Sequence, residues 1–484
     1  MTDLRFPPYR EARKLASRGN LVPLVATLPA DLETPVGVFM KLRSRARCGF
    51  LLESVEGGLQ SARYSFAGVD PMTMLSGSGD RYELRTRSGV RRLSGDPYEL
   101  VRRLTENLHP VPVPGLPRFA GGAVGMFGYD VSRRRERIAE ARQDDLHLPE
   151  VWLGWYDTIF AMDHVQHQLL VIAHWNTQDK GQRGYDAAVA RATAQARKLQ
   201  RRLLKQPTMR AASRTRNFTA NNFERAVRKA QEYIGAGDIF QVVLSQRFSS
   251  RFEGDPFQVY RRLRRINPSP YLYYLDCGSF QLAGSSPETL VRVEGRTLTL
   301  CPIAGTRPRG RTRDEDARLE EELLADPKER AEHLMLVDLA RNDAGRVCST
   351  GEVRLSEFCR VERYSHVMHI VSRVGGTLGP SHDALDALAA CSPAGTVTGA
   401  PKVRAMQIIS ELETSGRGPY AGAAGYFDYF GNLDMCIAIR TLVFAKGRVH
   451  AQAGAGVVAD SVPAREEEET RNKAGALLLA LAQD

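Results

Sequence analysis

The sequence predicts an α+β protein built of layered antiparallel β-sheets flanked by helices. Strand-like and helix-like runs come in groups instead of alternating one for one, which argues against a doubly wound parallel sheet. Several strand-like runs lie close together around short turns, as antiparallel neighbours require. A length of 484 residues allows a sizeable core and two structural lobes.

In chain order, residues 9–18 and 35–43 read as helices, and 50–55 and 63–68 as strands turning at Gly57-Gly58. Short strands continue to about residue 95, and an amphipathic helix covers 98–108. The glycine-rich run 121–130 lacks the spacing and strand-to-helix context of a dinucleotide loop, so it reads as tightly packed sheet. Residues 151–160 and 168–174 form a strand pair, and 187–205 a long polar helix. Residues 206–217 carry no apolar period and read as a linker. The predicted division is an N-terminal lobe, 1–175, a helix and linker, 176–216, and a C-terminal domain, 217–484.

The second half opens with a helix at 221–235, capped by Thr219 or Asn221. Strands are expected at 239–248, 271–276, 280–284 and 290–300. Helices follow at about 314–342, 381–390 and 401–413, then strands at 420–428, 433–444 and 448–459, and a last helix at 464–481.

Hydrophobic content of 43% and charged content of 25% suit a soluble globular protein. No apolar run approaches the roughly 18 residues of a membrane span, and the N-terminus lacks a secretion signal's apolar core. Seven scattered cysteines without C-x-x-C suit a reduced, cytoplasmic setting. The net charge of +11 comes largely from local runs such as Arg261–Arg265, with no aromatic stacking pattern. A basic surface that favours a small anionic substrate explains it better than nucleic-acid binding.

Two carboxylate pairs stand out. Glu329 and Glu332 are three apart on one predicted helix, and Glu466 and Glu469 repeat that spacing on another, with Lys473 one turn on. Four such oxygens could clamp a hard divalent cation, Mg²⁺ in preference to Zn²⁺. Residues 394–404 place small and hydroxyl side chains before a helix start, where free N–H groups can bind an anion. The Gly454-Ala455-Gly456 run permits close backbone approach to a ligand. Glu288 follows a strand end, and Arg440 stands among apolar residues where an unpaired guanidinium is costly.

These segments, with residues 237–246, 302–310 and 393–404, resemble the chorismate-utilising enzymes, and within them anthranilate synthase component I. The resemblance covers about residues 220–475 and extends to 51–54 and 63–66 in the first half. It implies two intertwined lobes. It also implies Mg²⁺ held by Glu329, Glu332, Glu466 and Glu469, with Glu332 and Glu469 the closer ligands. Arg440, Tyr420, Lys473 and the backbone at Gly454, Ala455 and Gly456 would hold carboxylates, and Gly305 and Thr306 would line the pocket. Glu288 would protonate the departing ring hydroxyl, His369 would assist loss of pyruvate, and Thr396 would contact the substrate.

Branches of the family differ where Gln241 and Ala304 stand. A lysine at the first position suits water-using members, and a lysine at the second marks aminodeoxychorismate synthases. Gln241 and Ala304 point instead to ammonia as nucleophile and anthranilate as product, with aminodeoxychorismate synthesis the alternative. No cysteine in glutaminase context stands out. The resemblance therefore implies a separate glutamine amidotransferase subunit, component II, in a hetero-oligomer such as a heterotetramer. It further implies a tryptophan inhibitor site formed by Leu52, Glu53, Ser54, Asn267, Pro270, Tyr271 and Leu272, with Cys436 near it.

Overall fold

The computed structural model describes residues 4–54, 63–139, 143–179, 181–203, 209–364 and 367–482. The expected Gly57-Gly58 turn lies outside them. Among the described residues the strands form two twelve-stranded sheets, and every strand pairing is antiparallel. Each sheet is shared between the two halves of the chain. In the first, Gly49–Glu53 pairs with Tyr271–Asp276, setting Leu52 opposite Tyr273 and Glu53 opposite Leu272. In the second, Gly122–Phe127 pairs with Ala423–Asp428. The halves are thus interwoven through both sheets.

Apolar side chains of both sheets meet between them, among them Phe50, Phe66, Val124, Trp152, Leu282 and Tyr426. Helices cover the outer faces. Phe39, Phe257 and Leu477 join the outer core of the first sheet, and Tyr98, Leu385 and Met406 that of the second. The helix starts follow from local chemistry. Thr34 accepts from Gly37 N–H before Pro35, and Asp255 accepts from Phe257 N–H before Pro256. A proline in a first turn loses no intrahelical hydrogen bond.

Several expected elements divide, and the divisions matter. The run 151–160 breaks at Asp157: Val151–Tyr156 lies in the second sheet and Thr158–Asp163 in the first. The expected strand 433–444 is two strands, Leu433–Ile437 in the second sheet and Thr441–Ala445 in the first. Residues 290–300 turn back as Thr289–Glu294 and Thr297–Leu300. The helix expected at 314–342 is two, Arg313–Ala325 and Pro327–Gly345, because the Asp326 carboxylate caps the second by accepting from Lys328 and Glu329 N–H.

Residues 206–217 are not all linker. Arg210–Arg216 is an edge strand on Gln241–Glu253, and its charged, period-free composition suits a solvent-facing edge. The preceding helix runs Gly181–Ala196, and Ala188, Ala192 and Ala196, four apart, bury one stripe. Strands Ile303–Pro308, Arg354–Arg363 and Val367–Thr377 were not expected from the sequence. The first contains a glycine at φ +66, and the second is a charged edge without an apolar period.

Candidate active site

Two neighbouring crossings between the sheets create the site. The chain leaves the first sheet after Phe280–Ser286 and enters the second at Thr289–Glu294, passing through Pro287 and Glu288. It returns from Leu433–Ile437 to Thr441–Ala445 through Ala438, Ile439 and Arg440. Arg440 turns the chain at φ +47, a region that non-glycine residues seldom occupy. Ile437 N–H donates to Glu288 O at 3.0 Å, and Ser285 N–H to Arg440 O at 3.0 Å, so the crossings brace each other.

Burial pushes the Glu288 carboxyl up to about 7, opposed by Thr396 and by the positive charges of Arg440 and Lys473. A carboxyl poised there can both keep and release a proton near neutral pH. The buried Thr396 hydroxyl stands close enough to favour the Glu288 anion, and among the described residues it meets no partner at full hydrogen-bonding geometry.

A cavity of about 640 Å³ opens beside these crossings, lined in part by Pro287, Thr306, His369, Arg440, Glu469 and Lys473. Gly305 sits in a bulge opposite His369, and its carbonyl lies 2.9 Å from His369 Nδ1. A carbonyl only accepts, so Nδ1 carries the proton and Nε2 is left as the basic nitrogen. Burial holds this imidazole below its usual range, so it is neutral at pH 7. The Thr306 hydroxyl lies 3.1 Å from the same Nδ1.

Gln241 starts the strand Gln241–Glu253, which pairs with Arg448–Val457. Among the described residues the buried Gln241 Oε1 has no hydrogen-bond partner. A Cβ added at Gly456 would stand 2.6 Å from Gln241 Nε2, and one at Gly454 would stand 2.8 Å from the Tyr420 hydroxyl. The two glycines therefore leave room for those side chains. Ala455 alternates to the opposite face and is fully buried opposite Leu244, so only its backbone can serve the site. Lys473 Nζ donates to Gly454 O at 3.2 Å and pairs with Glu469 at 2.7 Å.

The four glutamates are placed near one another, and two of them, Glu329 and Glu469, are engaged by cationic side chains. Arg307 pairs with Glu329 at 3.3 Å and with Asp326 at 2.8 Å, while Lys473 pairs with Glu469. Burial raises Glu332, and the charges of Glu329 and Glu469 raise it further. Burial likewise raises Glu466, with Glu469 adding to it. Among the described residues no three His, Cys, Asp or Glu side chains converge as a closed metal site. The donors fit a hard cation in kind and in mutual repulsion, with side-chain closure still required to bring them together.

A second cavity, about 490 Å³, lies between the halves and is lined in part by Leu52, Glu53, Ser54, Tyr271, Leu272 and Cys436. Pro270, Pro287, Ile303 and Tyr364 line both cavities. One expected inhibitor contact, Asn267, is placed at the other cavity, and Glu53 lines the second cavity with its carboxylate already engaged. Asn267 faces the 640 Å³ cavity and donates to Ser285 Oγ at 2.8 Å. Glu53 is already bound by Arg264 at 2.9 Å and by the Tyr260 hydroxyl, so its charge is not open to a ligand.

Sequence reasoning missed Arg465, Glu468 and Asn472, which line the large cavity with Glu469 and Lys473. Their helical spacing on Pro463–Ala480 was the available signal. It also missed Arg307 and Tyr364; the Tyr364 ring stands edge-on to His369 with centroids 5.6 Å apart.

Residues 55–479 match the family of chorismate binding enzymes. The chain belongs to that family. Within it, the chain belongs with the anthranilate synthase component I proteins. It is 46% identical over 488 residues to anthranilate synthase component 1 of Acetivibrio thermocellus, covering 99% of each chain. It is 47% identical to that of Aquifex aeolicus, covering 97% of each. The crystal structure of anthranilate synthase component I from Streptococcus pneumoniae superposes with a TM-score of 0.79 at 35% identity, covering 93% of this chain and 98% of that one.

Proposed function

We propose that this chain converts chorismate and ammonia into anthranilate, pyruvate and water. The observation that carries this reading is Glu288, a carboxyl raised to about 7 between Thr396, Arg440 and Lys473. Arg440, Lys473 and the Tyr420 hydroxyl would hold the substrate's carboxylates. Protonated Glu288 gives its proton to the ring hydroxyl, which leaves as water while ammonia adds to the ring. Neutral His369, its Nε2 unprotonated, is suited to accept a proton as the enolpyruvyl group is eliminated as pyruvate and the ring becomes aromatic. Gln241 is not a base and cannot activate water, and buried Ala304 cannot act as a nucleophile. Both favour ammonia and anthranilate over isochorismate or aminodeoxychorismate.

Glu329, Glu332, Glu466 and Glu469 would hold Mg²⁺, which when bound offsets the charge of a substrate carboxylate. A separate amidotransferase, together with this chain in a hetero-oligomer, would supply ammonia from glutamine. Tryptophan would bind the second cavity and inhibit by linkage between the cavities. A cytoplasmic setting agrees with seven free cysteines. Among the described residues no helix is long and apolar enough to cross a membrane.

Incubation of the purified chain with chorismate, Mg²⁺ and ammonium, followed by chromatography of the products, tests the reading. Anthranilate is expected. Isochorismate or aminodeoxychorismate as the sole product would replace it with another branch of the family.

A further inference from the structure

Arg417 and Glu413 form an ion pair with both side chains almost wholly buried, at 1% and 5% exposure. Arg417 donates to Glu413 through Nε at 3.0 Å and Nη2 at 2.7 Å. It also donates to two backbone carbonyls, Val397 at 2.7 Å and Val243 at 2.7 Å. Its guanidinium lies between two rings, with centroids 4.7 Å away for Tyr129 and 5.5 Å for Tyr420. Glu413 Oε1 in turn accepts from Ser245 N–H and Ser245 Oγ, each at 2.8 Å.

The places these bonds reach are specific. Val397 follows Thr396, and Val243 is two residues from Gln241 and opposite Gly456. Val243 N–H also donates to Thr398 O at 2.8 Å. One planar, five-donor side chain therefore ties together the turn that carries Thr396, the strand that carries Gln241 and the ring of Tyr420. A buried ion pair is a poor route to stability, because desolvating two charges cancels much of their attraction. A fixed fork that aims three segments at once is something apolar packing does not provide.

We propose that Arg417, held by Glu413, is a positioning residue that sets the Tyr420 hydroxyl against Gly454 for the bound substrate. It touches no substrate itself and acts through Tyr420. The inference rests on the reading that Tyr420 holds a substrate carboxylate.

The test uses the full chain and steady-state kinetics with chorismate, Mg²⁺ and ammonium. Arg417→Lys keeps the buried charge but cannot reach both carbonyls and Glu413 together. It should remain folded and raise the chorismate KM about tenfold, with a much smaller change in kcat. The paired variant Arg417→Met with Glu413→Gln leaves no buried charge and should show the same KM. In a Tyr420→Phe background, Arg417→Lys should change KM little further, since both remove one function. A folded variant with wild-type KM, or a KM effect that multiplies fully with that of Tyr420→Phe, would overturn the proposal. Loss of the fold in both variants would assign the pair to stability alone and overturn it as well. A wild-type chain inert towards chorismate would instead remove the functional reading on which the inference rests.

Discussion

Glu288 and Arg440 stand on adjacent crossings between the two sheets, and a backbone hydrogen bond of 3.0 Å fastens each residue to the end of the strand that leads into the other's crossing. The carboxyl and the guanidinium are thus set by sheet geometry and not by a mobile loop. Each lies where the chain must leave one sheet for the other, and such seams leave space that neither sheet fills.

The raised Glu288 carboxyl makes activity and stability depend on pH in opposite senses to an ordinary ion-paired carboxylate. The unfolded group ionises near 4.5 and the folded one near about 7. Between those values the folded chain keeps a proton that the unfolded chain has lost. Stability from this group is therefore full below 4.5 and declines as pH rises to about 7. The total decline is of order 3 kcal/mol. Glu288→Gln should raise Tm at pH 8. At constant free ammonia, wild-type kcat/KM should fall above about pH 7, whereas Glu288→Gln should be flat and about 10²–10⁴-fold lower. An unchanged pH profile in Glu288→Gln would show that another group supplies the proton.

The two glycines of the Arg448–Val457 strand should respond differently to alanine. At Gly456 the added Cβ meets, among the described residues, only the end of Gln241, which can swing away. Gly456→Ala should leave Tm nearly unchanged and lower kcat about tenfold or more by displacing Gln241. At Gly454 the Cβ would meet Tyr420 Oη at 2.8 Å, Leu244 O at 3.0 Å and Val243 Cγ1 at 3.0 Å. Backbone cannot swing away, so Gly454→Ala should cost about 1–3 kcal/mol of stability as well as activity. Thermal melts beside kinetics separate the two cases.

The carboxylate site predicts a metal requirement. EDTA should abolish turnover and Mg²⁺ restore it, while Glu332→Gln or Glu469→Gln should remove turnover and leave the fold intact. Because burial and neighbouring charges raise Glu332, its neutralisation should not lower Tm in metal-free buffer. Full activity of either variant at low Mg²⁺ would rule the four-carboxylate site out.

Feedback through the second cavity predicts that tryptophan weakens chorismate binding, by a coupling of about 1–3 kcal/mol, and that chorismate weakens tryptophan binding equally. Ser54 lines that cavity. Ser54→Phe should fill it and give an active enzyme insensitive to tryptophan. Titration calorimetry on wild type and variant, with and without chorismate, reads both effects; a wild type that ignores millimolar tryptophan makes this lobe a scaffold.

Elements whose boundaries rest on local chemistry were legible in the sequence. Pro35–Arg43 and Tyr271–Asp276 have the expected bounds, because a capped proline start and a run of aromatic and apolar residues are local signals. The sheet crossings were not legible. Glu288 and Arg440 were recognisable as residues out of place, but residues 433–437 and 441–445 read as one strand because both runs are apolar. Which sheet a strand joins is decided by distant partners, here Ala423–Asp428 and Phe280–Ser286. Glu53 shows the same limit: the sequence marks a charge but not that Arg264 and Tyr260 already bind it.

Ammonia, and not water or glutamine, is the proposed nucleophile of this isolated chain. Product analysis with chorismate and Mg²⁺ tests it most directly, supplying ammonium in one reaction, glutamine in a second and neither in a third. Anthranilate fluorescence with an equal yield of pyruvate should appear only with ammonium, at a rate proportional to free ammonia until saturation. Anthranilate formed from glutamine by the purified chain alone, or isochorismate accumulating without ammonium at a comparable rate, would contradict it.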